Sequence, residues 1–143
     1  MLPAQKGDVL ELDELWSYIA AKRNERWVWV ALCRRTRQVV AFFVGDRSAW
    51  SAGHLHLRIP GPYACRATRS DLWRAYDEVF PWRTHRSSGK GAGETCHVER
   101  WNCTLRQRLA RFVRKTLSFS KCPHMHHAAL HLFIHQQNLS LRL

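Results

Sequence analysis

Acidic residues are scarce in this sequence, and after Glu99 there are none. Eleven Asp and Glu stand against 23 Lys and Arg, giving a net charge of +12 and a pI near 10.4. A compact chain this basic is expected to meet a polyanion, most often nucleic acid. A long apolar run is also missing. None reaches the roughly 18 residues of a membrane span, which excludes an integral membrane helix. Met1 to Val9 has no charged-then-apolar signal pattern, so export is not expected. The five cysteines are an odd number, which argues against a disulfide framework and for free thiols in the cytoplasm. What is present is ample apolar material. With 45% apolar residues and seven tryptophans in 143 residues, the chain suits one domain with its own core. Disorder is excluded on the same ground.

The first part of the chain reads as strands. Val9 to Leu12 alternates apolar and acidic residues, and the run continues through Trp16 and Tyr18. Ala21 to Arg26 reads as a charged turn. Arg26 to Leu32 is a nearly continuous β-prone run, so it predicts a buried strand. After a basic turn from Arg34 to Arg37, Gln38 to Val44 predicts a third. Connections this short join antiparallel neighbours. Ser48 then caps a helix to about Ile59, ended by Pro60-Gly61-Pro62. Tyr63 to Thr68 is a weaker strand candidate. Leu72, Trp73, Tyr76 and Val79 share one side of a short helix that Pro81 stops. Arg83 to Ser87 reads as a last strand and Ser87 to Gly93 as a flexible loop. Two helices follow, from about Thr95 to Lys115 and from about His124 to Asn138. Three antiparallel strands followed by an αβαβ alternation predict a mixed α/β sheet flanked by helices.

Because acids are few, each position carries weight. Asp13 lies on the first strand with Glu11, on the face opposite Leu10 and Leu12. Asp71 follows the fourth strand, and Glu99 opens the long helix. Singly, each has a plain structural role: a solvated strand residue, an N-cap, and a first-turn carboxylate favoured by the helix dipole. Together they can converge at one end of a sheet, where mutual repulsion requires cations. Hard oxygen ligands with open positions suit Mg²⁺ or Mn²⁺. Two such ions about 4 Å apart serve phosphoryl transfer. Placement alone leaves Glu11 and Glu14 open as first-strand alternatives to Asp13.

On the long helix, Trp101, Leu105, Leu109, Phe112 and Val113 fall within an arc of about 120°. Arg100, Arg108, Arg111, Arg114 and Lys115 fall on another arc, with Glu99 between the two. With Arg106 and Lys121, these are the candidate DNA-binding cations, a basic stripe that tracks phosphates.

At these residues the chain resembles a known family. Leu10-Glu11-Leu12-Asp13-Glu14-Leu15-Trp16 is similar to the first-strand motif of the InsB-type transposases of the IS-one insertion-sequence family. Ser70-Asp71-Leu72-Trp73-Arg74-Ala75-Tyr76 resembles their second acidic motif, and Val98-Glu99-Arg100-Trp101-Asn102-Cys103-Thr104-Leu105-Arg106 opens a stretch that resembles their third. The likeness runs from about Leu10 to Leu141. It implies a ribonuclease-H-like fold and a catalytic DDE triad of Asp13, Asp71 and Glu99. It also implies divalent-metal cleavage of double-stranded DNA at the ends of an insertion sequence and strand transfer into target DNA. The family's full-length transposases resemble a fusion of a zinc-finger and helix-turn-helix part with this catalytic part. No Cys₄ site or second helical module precedes Val9. The expectation is therefore a single catalytic domain over residues 1–143 without the N-terminal recognition part. Its expected partners are DNA, that recognition protein or fusion part, and further copies of the chain assembled on DNA. The alternative is a non-catalytic basic DNA-binding remnant or regulator of the same element.

Two other motifs lead nowhere comparable. Cys122-Pro123-His124-Met125-His126-His127 is dense in metal ligands, but no second pair stands at zinc-finger spacing; the histidines read as solvated. Gly89 to Thr95 lacks the G-x-x-x-x-G-K-[ST] spacing of a phosphate-binding loop.

The charge generates a measurable expectation. With about six phosphates contacted by the basic stripe, log K for duplex binding should fall against log[salt] with a slope of about −5, whereas a slope of about −1 would mark the charge as solvated surface. Fluorescence anisotropy across a salt series measures it.

Overall fold

The computed structural model describes residues 1–89 and 91–142. Its centre is a five-stranded sheet ordered β3-β2-β1-β4-β5. The strands are β1 (Val9–Ile19), β2 (Ala21–Cys33), β3 (Val39–Gly45), β4 (Ala67–Ser70) and β5 (His85–Ser87). β1, β2 and β3 form an antiparallel meander, and β4 and β5 run parallel to β1. This is the ribonuclease-H-like sheet, with the acid-bearing first strand in the middle.

Alternation along the strands makes two cores. Leu10 and Leu12 of β1 join Trp29, Ala31 and Cys33 of β2 on one face. They pack under α1 (Ala49–Arg58), α2 (Gly61–Ala64) and α3 (Arg74–Val79) through Leu55, Tyr63 and Tyr76. Leu15, Val28, Val30 and Leu32 face the other way, against Val98, Trp101 and Leu105 of α4 (Cys96–Arg108) and Leu130, Phe133 and Ile134 of α5 (Pro123–Ser140). Burial on both faces explains why the second strand reads as an unbroken apolar run.

Three sequence expectations are corrected. The charged stretch from Ala21 to Arg26 is strand, not turn. The hairpin reverses at Ala20, whose φ of 63° is left-handed, and Tyr18 pairs with Glu25. Arg26 and Glu25 pair with Ser17 and Tyr18, and Ala21 with Ile19, while the exposed Lys22, Arg23 and Asn24 fall in the register shift between these pairs, so ladder hydrogen bonds on either side override side-chain polarity. The chain between Ile59 and Ala67 holds a short helix, α2, with a proline in its first turn. The long helix stops at Arg108: Leu109 is extended at φ −116°, ψ 104°, and a 3₁₀ turn covers Ala110–Phe112. That break swings Phe112 into the core, where it is 1% exposed and stacks on His126 at 4.5 Å.

His126 is likewise corrected from solvated to buried. It is 1% exposed and sits between Ser17 (Nε2, 2.9 Å) and Ser120 (Nδ1, 2.6 Å). Nearby, Ser120 forms a parallel bridge with Ile19 and its carbonyl accepts from Ala20 N–H at 2.7 Å. These contacts tie the segment before α5 to the hairpin tip.

Glu11, fully buried, anchors α4. Its Oε2 accepts the backbone N–H groups of His97 and Val98, both at 2.9 Å, and its Oε1 accepts from Arg34 Nε at 2.8 Å. A carboxylate at a helix N-terminus satisfies orphan donors and the dipole at once. Arg34 is one-third exposed, so most of the loss in Glu11→Ala should come from the helix N–H groups and the emptied site. The variant should be less stable by about 2–4 kcal/mol, read as a lowered urea midpoint.

Candidate active site

The register of the parallel pair sets the geometry. Glu11 of β1 lies opposite Arg69 of β4, so two residues further on Asp13 comes level with Asp71, the first residue beyond β4. Carboxylate oxygens of Asp13, Glu14 and Asp71 all lie within 4.8 Å of one another. Glu99 enters from above. Glu11 holds the start of α4 against the same face of β1, and this sets Glu99 at the mouth of the cleft, outside that tight group. Thr95 Oγ1 donates to Glu99 Oε1 at 2.7 Å and fixes the side chain. One turn along α4, Asn102 Nδ2 donates to Asp13 Oδ2 at 2.7 Å. The cleft encloses about 490 Å³, with Asp13, Asp71, Glu99, Asn102 and Arg106 among its walls.

These residues are not equivalent. Asp13 is pushed up to about 7, chiefly by burial, then by the Glu14 charge, with Asp71 and Glu99 adding repulsion. Glu14 is also raised by burial, against the opposing pull of Tyr76 and Arg47. Both of its oxygens are engaged: Oε1 accepts from Arg47 (Nε 3.0 Å, Nη2 2.8 Å) and Oε2 from the Tyr76 hydroxyl at 2.7 Å. The Tyr76 hydroxyl is held well above its ordinary value by burial and by Glu14, so it stays a donor. Asp71 Oδ1 accepts from Trp73 N–H at 2.9 Å, a local turn just ahead of α3, whose N-cap is Trp73. Of the first-strand acids the sequence left open, Glu11 is consumed by α4 and Glu14 by Arg47 and Tyr76. Asp13 has only Asn102 as a side-chain partner among the described residues.

The donor set fits a hard divalent cation. It consists of clustered carboxylate oxygens in a partly dehydrated cleft, where Asp13 retains an unrelieved anionic penalty. Next to it, Asn102 Oδ1 is buried without a hydrogen-bond partner among the described residues. Oxygen-only donors suit Mg²⁺ or Mn²⁺ rather than a thiolate-seeking ion. Glu11, Cys96 and His97 form the other close ligand group among the described residues. There Glu11 is already saturated by helix N–H groups and Arg34, so the cluster is structural.

The seven candidate cations do not form one stripe, because the helix that would carry it breaks at Leu109. Arg106 and Arg114 line the carboxylate cleft. Arg106 is lowered by burial and by the Arg114 charge, and its Nε has no hydrogen-bond partner among the described residues. Lys115 lies beside Arg114 in an adjoining recess. Arg111 and Lys121 line a separate groove of about 560 Å³ near the start of α5. Arg100 turns away toward Arg37 and His97 over the β2 side, and Arg108 is exposed at the end of α4.

Sequence reasoning missed Arg47, Asn102 and Tyr76. Asn102, three residues after Glu99, shares its side of the helix, and that spacing was a usable signal. Arg47 comes from the loop before α1 and had none. Gly91 of the glycine-rich loop reaches the cleft wall, while Lys90 lies outside the described residues.

The sheet order and the acid-bearing central strand place the molecule in the ribonuclease-H-like class. A family model described as IS1 transposase matches residues 9–140. The insertion element IS1 4 protein InsB of Escherichia coli (strain K12) is 36% identical over 116 residues, covering 81% of this chain and 67% of that protein. The iso-IS1n protein InsB of Shigella dysenteriae is 33% identical over 126 residues, covering 88% of this chain and 93% of that one. Among solved structures, the catalytic core domain of BIV integrase overlays with a TM-score of 0.47 at 12% identity, over 87% of this chain and 96% of that one. The chain belongs to the IS1 transposase family. No helix among its described residues is long and apolar enough to cross a membrane.

The site makes stability depend on pH in a defined direction. Asp13 rises from 3.8 to about 7 on folding, so between those values the folded, metal-free chain binds more protons and loses stability as pH rises. His126 falls from 6.5 to about 4 through burial and nearby Arg111. It works oppositely, adding stability as pH rises through that lower window. Asp13→Asn should remove only the first component. Thermal melts at about pH 8 should show the metal-free variant roughly 5 °C or more above wild type, and Mg²⁺ should raise wild type far more than the variant.

Proposed function

We propose that the chain is a DDE transposase catalytic domain that cleaves DNA at the ends of an insertion sequence and joins the cut 3′ ends to target DNA. The observation that carries this reading is the convergence of Asp13 and Asp71 with Glu99 facing the same cation-rimmed cleft. Asp13, Asp71 and Glu99 would hold Mg²⁺ or Mn²⁺. Bound there, the ions would activate a water or a 3′-hydroxyl and stabilise the leaving oxygen. The chain's own residues divide the remaining work. Asn102 fixes the Asp13 carboxylate and Thr95 fixes Glu99. Arg106 and Arg114 offset the acids and draw the phosphate backbone into the cleft. Arg47 and Tyr76 keep Glu14 occupied beside Asp13, so that the reactive pair keeps its spacing.

DNA is the substrate class this family implies. Further copies of the chain and the element's zinc-finger recognition part complete the proposed assembly, because cutting two ends and joining them to one target needs more than one site.

The test is cleavage of a supercoiled plasmid carrying the element's ends, followed by joining of pre-cut ends to a second duplex. Asp13→Asn, Asp71→Asn and Glu99→Gln should each lower Mg²⁺-dependent cleavage by at least about a hundredfold while duplex affinity survives or rises. Near-wild-type cleavage in any one removes that residue from the triad. Nicking without joining would identify a nuclease of the same fold, and DNA binding without metal-dependent nicking a non-catalytic regulator.

A further inference from the structure

Beside the carboxylate cleft lies a second recess of about 380 Å³, lined by Trp16, Lys22, Trp27, Arg114 and Lys115. Trp16, Trp27 and Arg114 are walls of both cavities, so the two adjoin. The indoles are direct cross-strand partners on β1 and β2, and both are only half-buried. Core packing accounts for Trp29, which is fully buried, and for one side of Trp27, which packs against the first apolar cluster. It does not account for Trp16, which belongs to neither apolar cluster and has the Tyr18 ring, tilted at 5.4 Å, as its aromatic neighbour. Trp16 is held in place on its exposed side, where its Nε1–H donates to Glu25 Oε1 at 3.1 Å. The Arg114 guanidinium stands 6.0 Å from its ring centroid and that of Arg47 stands 4.5 Å from the Trp27 ring.

Two indoles ringed by cations, with no acid among the lining residues, match one chemical object: a planar aromatic group attached to a phosphate chain. Phosphates alone would need the cations but not the indoles. An apolar ligand would need the indoles but not three cations. A base within an intact duplex presents no face, because its neighbours cover both. A base can enter such a recess only after leaving the stack, and aromatic side chains then replace its neighbours. We propose that this recess receives an unpaired terminal base of the DNA strand whose phosphate lies at the Asp13–Asp71 cleft. Lys22, Arg114 and Lys115 hold the flanking phosphates, and Trp16 supplies the stacking face. The inference rests on the reading of the neighbouring cleft as the DNA-cleaving site, and it adds a specificity for end structure that the acids cannot provide.

The test is equilibrium binding by fluorescence anisotropy in EDTA, so that no cleavage contributes. It uses the full chain and one labelled duplex with three kinds of end: blunt, carrying one unpaired adenine, or carrying an abasic residue at that same position. The 3′ and 5′ positions are tried in turn. Wild type should bind the unpaired-adenine end about 5–50-fold more tightly than its abasic counterpart at one of the two positions. That ratio should fall to about one in Trp16→Ala and stay largely intact in Trp16→Phe, which keeps an aromatic face. Equal affinity for adenine and abasic ends in wild type would overturn the proposal without recourse to any variant, as would an unchanged ratio in Trp16→Ala. Tight binding without end preference would sink this inference and leave the proposed DNA cleavage standing. Failure to bind any of the duplexes would sink both.

Discussion

A single buried carboxylate sets the position of the helix on which the candidate site depends. Glu11 lies near the start of the central strand with no access to solvent, and it caps the first turn of the helix that carries Glu99 and Asn102. Burying an anion is unfavourable unless its charge is compensated. Here the compensation comes from two helix N–H groups, the positive end of the α4 dipole and Arg34. The same contact fixes where α4 crosses the sheet. Asp13, two residues further along the same face of β1, then falls beneath Asn102. The acids at 11 and 13 thus divide their work: one is fully satisfied and holds the scaffold, and the other is left crowded and underpartnered in the cleft.

That crowding is concentrated rather than shared. Glu14 is hydrogen-bonded from two sides, and Asp71 is tied into a local turn. The cations that offset the cleft come from three separate places: the loop before α1, the end of α4, and the irregular segment after the 3₁₀ turn. A continuous helix through Lys115 would have carried Arg114 and Lys115 away along a straight axis. The break at Leu109 folds them back toward the hairpin and the acids, while Phe112 and His126 weld that fold into the core. The formal charge of +12 is therefore distributed over several faces, with Arg100 on a different side from Arg106.

Much of the fold was legible because apolar periodicity reports burial directly. The buried second strand, the Ser48-capped helix and the punctuation at Pro60 and Pro81 all follow from local rules. So did the meeting of Asp13 and Asp71, since a central strand and the end of its parallel neighbour must share an edge of the sheet. Local rules failed where tertiary partners decide. Lys22 to Glu25 read as a turn because nothing in those residues reveals that the strand pairs with β1 on both sides of them, through Ala21 and through Glu25 and Arg26. Leu109 read as helix because its periodicity was right; what ends the helix is the pull of Phe112 into a space already shaped by α5. Arg47 was invisible because its role exists only in three dimensions, between residues drawn from β1, β2 and the start of α3.

Arg47 also ties the paired strands β1 and β2 to the start of α3, which no backbone ladder joins to them. Its guanidinium lies 4.5 Å from the Trp27 ring and 4.0 Å from the Trp73 ring while binding Glu14 between them. A lysine keeps the charge but cannot stack flat on two indoles and grip a carboxylate through two nitrogens. The positions at 14, 27, 47, 73 and 76 consequently form one interlocked set of contacts. Drift at any one leaves a stranded charge or an uncovered ring at the others, so across diverging copies of the element they are expected to be inherited, exchanged or lost together.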